Sequence, residues 1–283
     1  MAIPLKPVVH LLLFLLFPLS FSVCMANFHS DTGALFCPHH MNVSSDGRQL
    51  SLLMDKSCGS GFQSKKAFIF GKFDIRMKLV PGMSAGTVTT FYLNSSLGKW
   101  HDEIDFEFLG HTDPSHYILH TNVFVKNVGS REQRIHLWFD PTADFHTYSI
   151  LWNPHQIIFY VDQVPIRVYK TGATVPFPKQ QPMTLYGTIW DGSDWATEGG
   201  AIKIDWSKAP FVTYYRDYSV NACVWSGQGQ STKCTKPSPP WMSHTLDAGE
   251  WKKLEWVRKN YLIYDYCTDP SRTKPECSVQ LAT

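Results

Sequence analysis

Three acidic residues, Glu103, Asp105 and Glu107, alternate with Ile104, Phe106 and Phe108 in the segment His101-Asp-Glu-Ile-Asp-Phe-Glu-Phe-Leu-Gly110. Successive side chains of a β-strand point to opposite faces, so a strand here carries three carboxyls on one face and three large apolar groups on the other. At about 3.3 Å per residue the Cα atoms of Glu103 and Glu107 stand about 13 Å apart, and two glutamates leaning together close much of that gap. Their carboxyls can then approach the roughly 5 to 5.5 Å that suits retaining glycoside cleavage, with one attacking the anomeric carbon and the other protonating the leaving oxygen. Asp105, between them, can share a proton with a neighbour and keep one acid ionised while another stays protonated. The plainer alternative is a solvated acidic strand face.

The elements that must hold this row also read as strands. Lys72 to Leu79 alternates polar and apolar residues, and Ile157 to Val161, Asp162-Gln163 and Val164 to Val168 spell a hairpin. Further strands are expected over Thr87 to Leu93, His116 to Val125, Arg134 to Phe139, Phe145 to Trp152 and Met183 to Ile189. Many short strands separated by Gly, Pro and Asp predict an all-β antiparallel sandwich of the jelly-roll type. After Tyr214 the composition turns rich in Ser, Gly and Pro as far as Pro240. Asp247-Ala-Gly-Glu250 then offers a helix start, followed by Trp251, Leu254, Val257 and Tyr261 at helical spacing. The expected organisation is a leader over residues 1–26, a jelly-roll body over 27–215 and a disulfide-stapled extension with a helix over 216–283.

With 283 residues, 43% of them hydrophobic, the chain can bury a substantial core. Lys6 and the apolar run Val8 to Val23, ending in Cys24-Met-Ala26, read as a secretory signal peptide, not a membrane anchor, because the run is short and interrupted by Pro18. Its removal leaves 25 Lys plus Arg against 24 Asp plus Glu, a net charge of about +1. That balance gives no electrostatic case for nucleic acid or an anionic membrane. Six cysteines remain, which pair in fifteen ways. Local pairing of Cys223 with Cys234 and of Cys267 with Cys277 is expected in a secreted chain, with Cys37 and Cys58 as candidates for a third bridge. Cys37-Pro-His-His40 also resembles half of a metal site, but no matching cluster at zinc spacing follows, and His111, His116 and His120 supply no convincing ligand set. No metal or other cofactor is expected. Two sequons, at Asn42 and Asn94, are candidate glycan acceptors.

The segment Asp102-Glu-Ile-Asp-Phe-Glu107 resembles the active-site strand of family 16 glycoside hydrolases. Its context is similar to the plant xyloglucan endotransglucosylase/hydrolases: Gly61-Phe-Gln-Ser-Lys65, Lys78-Leu-Val-Pro-Gly82, Ser84-Ala-Gly-Thr87, Arg131-Glu-Gln-Arg134, Leu137-Trp-Phe-Asp140 and Ser193-Asp-Trp-Ala-Thr197. Trp256-Val-Arg258 and Tyr264-Asp-Tyr-Cys-Thr-Asp269 resemble the cysteine-bearing extension of that group. The likeness runs from about residue 55 to 277. It implies that Glu103 is the nucleophile, Glu107 the general acid and then base, and Asp105 the residue that orients and tunes Glu103. It further implies glucan contacts from His120, Thr121 and Asn122, from Ser130, Arg131 and Glu132, from Asp194, Trp195 and Gly199, and from Arg272. Trp190 and Trp195 suit a sugar-stacking platform, with a core role as the alternative for either.

The implied activity is cleavage of the β-1,4-glucan backbone of xyloglucan with retention and transfer of the fragment to another xyloglucan chain, to an oligosaccharide or to water. The implied setting is the plant cell wall and apoplast, with cellulose as a further glucan partner and the protein a monomer. Two positions depart from the family pattern, His120 where Gln is usual and Ser130 where Asp is usual, and the sequon often found just after the acid strand is missing from Gly110-His-Thr-Asp-Pro114. In the family, predominantly hydrolytic members carry a longer loop between the Thr-Asn strand and the Arg-Glu pair. Here only Val123 to Ser130 intervenes, which favours transfer. The competing readings are a non-catalytic glucan-binding jelly roll, against which the intact acids speak, and a β-glucanase of unbranched or mixed-linkage glucan, against which the extension speaks.

Overall fold

The computed structural model describes residues 26–95, 100–227, 232–234 and 238–281. Nearly all of the expected leader and Ser96, the last residue of the second sequon, lie outside the described residues. The chain opens with the short helix α1 (Phe28–Asp31) and strands β1 (Thr32–Phe36), β2 (Met41–Val43), β3 (Gln49–Met54) and β4 (Ser60–Lys78). The central strands are β5 (Thr87–Asn94), β6 (Glu103–Leu109), β7 (Ile118–Phe124), β8 (Gln133–His136), β9 (His146–Trp152), β10 (Gln156–Val161), β11 (Val164–Lys170) and β12 (Met183–Asp191). Then follow β13 (Phe211–Trp225), β14 (Thr232–Lys233), α2 (Ala248–Asn260), β15 (Leu262–Asp265) and α3 (Cys277–Gln280).

Pairing is antiparallel throughout these strands, and the 19-residue β4 belongs to two layers. Its first half lies between β1 and β12, in the layer that continues β12-β5-β6-β7-β8-β15. Its second half lies between β9 and β13, in the layer that adds β10 and β11 on one side and β3 and β2 on the other. Between the halves Phe70 takes a left-handed conformation, φ +64°. Gly71 follows because a Cβ there would lie against that of Ala222 on β13. The result is the expected sandwich of jelly-roll type.

The apolar face of β6 forms the middle of the core. Ile104, Phe106 and Phe108 are fully buried. Phe106 meets Phe159 of β10 edge to face at 5.2 Å, and Phe108 meets Tyr148 of β9 at 4.7 Å, so the two layers close over the back of the acid strand. The expected hairpin is β10 and β11, turning at Asp162 and Gln163, both with positive φ as a tight two-residue turn requires. Two expected strands are shorter than anticipated. Residues 114–116 form a single 3-10 turn capped by Asp113, so β7 begins at Ile118. Strand β8 ends at His136, and Trp138 instead packs on Trp256 and Tyr261, ring centroids 5.4 and 5.6 Å away.

The expected division at 215/216 falls inside β13, a single strand that pairs with β3 and then with β4, so the extension leaves the body only after Trp225. Its helix α2 starts on the anticipated capping box, with the Asp247 side chain on the Glu250 amide and the Glu250 side chain on the Asp247 amide. Cysteines pair as Cys223–Cys234, Cys267–Cys277 and Cys37–Cys58. The last of these takes up the thiol of the would-be metal half-site; His39 and His40 stand beside Cys58, and His40 also lies 3.5 Å from Asp55.

One buried ion pair ties the extension to the body. Arg131 Nε donates to Glu276 Oε1 at 2.7 Å, and both side chains are almost wholly inaccessible. Removing one partner of such a pair leaves an uncompensated charge and costs about 3–5 kcal/mol. Glu276→Ala is therefore expected to lower the urea midpoint and the melting temperature markedly. A shift no larger than that of an exposed control such as Glu255→Ala would show that Arg131 finds compensation elsewhere.

Candidate active site

The register across the second layer sets side chains in rows on the face opposite the core. Glu103 stands between Asn94 of β5 and Phe124 of β7, Asp105 between Tyr92 and Asn122, and Glu107 between Thr90 and His120. Strand β12 extends these rows with Thr184, Tyr186 and Thr188, and on the other side the Glu107 row continues through Arg134 of β8 to Tyr264 of β15. A cleft pocket of ≈ 230 Å³ opens over the acids, lined also by Thr90, Tyr92, Asn122, Phe124, Thr188 and Trp190. Tyr92 stacks on Tyr186 at 4.9 Å, and the hydroxyls of Thr90 and Thr188 lie 2.6 Å apart, so the floor beside the acids is rigid.

The three acids differ in environment. Asp105 is buried, and desolvation together with the charges of Glu103 and Glu107 pushes its carboxyl well above the ordinary range. Glu103 is raised by desolvation, while a hydrogen bond from Asn94, the proximity of His101 and the hydrogen bond with Asp105 oppose that rise. Both carboxyls are raised, Asp105 the more strongly, so burial favours a shared proton on Asp105 over one on Glu103. Glu107 is only 20% exposed at its side chain, and His120 Nδ1 lies 2.9 Å from its Oε2, though without the alignment of a hydrogen bond.

Of the other expected contacts, Asn122 and Trp190 line the same pocket. Trp195 stands beside Trp190 and His120, its ring centroid 6.1 and 6.0 Å from theirs. Asp194 and Gly199 are exposed in the loop after β12, where Asp194 meets Lys203 at 3.3 Å and Gly199 takes φ +65° with open space around its Cα. Ser130, also left-handed, and Glu132 are half-buried in and after the loop joining β7 to β8. Arg272 is exposed in the turn that closes on Asp269.

Two expected contacts do not reach the cleft. Thr121 is fully buried on the core side of β7, where its Oγ1 accepts from Arg167 at 2.9 Å. Its parity with Leu119 and Val123, opposite to that of His120 and Asn122, was the signal for this. Arg131 is 2% exposed and works under the loop: Nη1 donates to the carbonyls of Val123 and Val128, and its amide donates to Asn122 Oδ1 at 3.0 Å. The turn it braces has Lys126 and Asn127 at positive φ. The Lys126 amide donates to Asp102 at 2.8 Å and the Asn127 amide to the His101 carbonyl at 2.7 Å, so Arg131 supports the entrance of the acid strand without meeting a ligand. Thr90, Tyr92, Phe124, Tyr186 and Thr188 were not anticipated, since their place beside the acids depends on strand register, which no single segment records.

The model of Glycosyl hydrolases family 16 matches residues 28–208, and that of the Xyloglucan endo-transglycosylase (XET) C-terminus matches residues 236–277. Xyloglucan endotransglucosylase protein 1 of Diospyros kaki is 51% identical over 250 residues, covering 87% of this chain and 84% of the relative. Xyloglucan endotransglucosylase/hydrolase protein 24 of Arabidopsis thaliana is 48% identical over 265 residues, covering 92% and 93%. Among solved structures, a native glycosidic hydrolase superposes with TM-score 0.57 at 25% identity over 70% of this chain and 94% of that one. A Bacillus licheniformis beta-glucanase, at 24% identity and TM-score 0.52 over 65% and 82%, shares the fold.

The state of Asp105 can be checked through stability. Because its carboxyl is raised in the folded protein, the fold retains a proton that the unfolded chain releases above an ordinary pKa of about 3.9. The stabilisation is complete below that value and is lost as pH rises toward the folded value. Asp105→Asn does not titrate, so its melting temperature is expected to gain on the parent across the window that opens at about pH 4 and closes at the raised folded value. A constant difference across that window would show that Asp105 is ionised in the fold.

Proposed function

The chain belongs to glycosyl hydrolases family 16, and from that premise we propose that it is a xyloglucan endotransglucosylase, a retaining enzyme that cuts the β-1,4-glucan backbone of xyloglucan and passes the fragment to another xyloglucan chain, to an oligosaccharide or to water. The observation that carries the reading is the row of three acids on one face of β6, with the buried, proton-holding Asp105 between two glutamates of unlike surroundings.

Glu103, kept ionised by its donors, attacks the anomeric carbon, and the bond from that carbon to the leaving oxygen breaks as Glu107 gives that oxygen a proton. Glu107, now a carboxylate, accepts the proton of the 4-hydroxyl of an incoming chain, whose oxygen displaces Glu103. Two displacements return the original configuration. Water in place of the sugar gives hydrolysis. Trp190 and Trp195 offer flat apolar faces to pyranose C–H groups beside the acids, and the tight Lys126-Asn127 turn leaves that flank of the cleft uncovered for an acceptor. The row Glu107, His120, Arg134, Tyr264 leads onto the extension, where the Arg134 guanidinium lies 5.0 Å over the Tyr264 ring. The reading extends to a secreted protein of the plant cell wall and apoplast, supported by the apolar leader, the exposed Asn42 sequon and three disulfides.

Incubation with xyloglucan and labelled xyloglucan oligosaccharides is expected to move label into polymer, with weaker incorporation when mixed-linkage glucan or soluble cellulose replaces xyloglucan. Label that stays in the oligosaccharide pool while the polymer shortens would make the protein a hydrolase. Glu103→Gln should cost about 10⁴-fold or more in turnover while the protein stays folded. On an activated aryl β-glycoside, Glu107→Ala with azide should yield a β-glycosyl azide through two displacements, and Glu103→Ala with azide an α-glycosyl azide through one. The reverse pattern would exchange the two roles.

A further inference from the structure

Asn94 begins the sequon Asn94-Ser95-Ser96, the feature by which its sequence marks it, yet the fold gives its side chain a different task. It is the last residue of β5, directly opposite Glu103, and only 9% exposed. Its Nδ2 donates to Glu103 Oε2. A glycan is built on that same nitrogen, which here is 9% exposed with its residue and engaged with Glu103.

We propose that Asn94 is the positioning residue of the nucleophile and that its sequon is left unoccupied so that the amide can hold Glu103. The inference rests on Glu103 being the nucleophile. A carboxylate about to attack must be ionised in a partly desolvated cleft and must present one oxygen to the anomeric carbon. Asn94 answers both needs by fixing Oε2 with a donor that never titrates, which leaves Oε1 for attack. The Asp105 donor on the same carboxylate depends on a proton; the Asn94 donor does not. The groups that otherwise act on Glu103 are Asp105 and Glu107 on its own strand, Tyr92 from β5, Tyr186 from β12 and His101 from the preceding loop, while His120 of β7 faces Glu107. All of them stay in place when Asn94 alone is changed.

The test begins by trapping the parent enzyme with a 2-deoxy-2-fluoro glycoside of a xyloglucan oligosaccharide carrying a good leaving group, and locating the label by peptide mass. Label on Glu103 is expected; label on another acid overturns the nucleophile assignment and this inference with it. With Glu103 labelled, Asn94→Ala should slow labelling about tenfold to a hundredfold, as loss of a donor to a charged group does. It should also move the acid limb of kcat/KM to higher pH, since the ionised form has lost a hydrogen bond. Asn94→Asp keeps the shape but replaces the donor with a fourth carboxylate, so it should fall below Asn94→Ala at neutral pH. Asn94→Ser, which keeps a shorter donor, should recover part of the loss. Ser96→Ala removes the sequon while keeping Asn94, and it should lower the intact mass by the lost hydroxyl oxygen alone, with no glycan-sized difference and no change in labelling rate. An acid limb that does not move in folded Asn94→Ala, an Asn94→Asp enzyme as active as the parent, or a glycan found on Asn94 would each overturn the inference while leaving the nucleophile in place.

Discussion

Three carboxyls lie on one face of a half-buried strand, and the structure is organised around the cost of keeping them ionised side by side. Desolvation raises Glu103 and Asp105, and their mutual repulsion is relieved when the most buried of them, Asp105, stays protonated. That arrangement holds only if β6 cannot twist or slide, because a shift of one residue would turn every acid into the core. The aromatic packing of Phe106 and Phe108 against β9 and β10 supplies that resistance from behind.

From the other side, the constraint explains why so much polar chemistry is spent on groups that touch no ligand. Arg131 is satisfied by Glu276, by two loop carbonyls and, through its backbone, by Asn122, and the loop it braces donates to Asp102 and His101 at the entry to β6. The bridge between Cys267 and Cys277 holds the residue next to Glu276, so the extension braces the loop at the entry to the acid strand.

What could be read beforehand was whatever a single segment prints on itself. The alternation over Glu103 to Phe108, the turn at Asp162-Gln163 and the reciprocal caps of Asp247 and Glu250 each involve neighbours in sequence, so their geometry follows from local rules. The partners of the acids do not. Asn94 faces Glu103, and Thr90 faces Glu107, only through the register of β5 on β6. Arg131 misled because an arginine within a family-like motif suggests a ligand contact, whereas its burial is decided by Glu276, 145 residues further along the chain. Thr121 was legible in principle: its neighbours of like parity are Leu119 and Val123.

The double membership of β4 also bears on how the protein is made. Its second half lies between β9 and β13, and β3, paired with β2 on one edge, finds its other partner in β13, whose residues follow almost the whole sandwich in sequence. A ribosome must therefore release the chain as far as Trp225 before the layer that contains β13 can close, and until then β3 and the second half of β4 each expose an unpaired edge. Assembly is governed by these distant pairings and belongs to the slow regime of high contact order. Shielding of open strands during synthesis therefore bears on the yield of this fold beside the closure of its three disulfides.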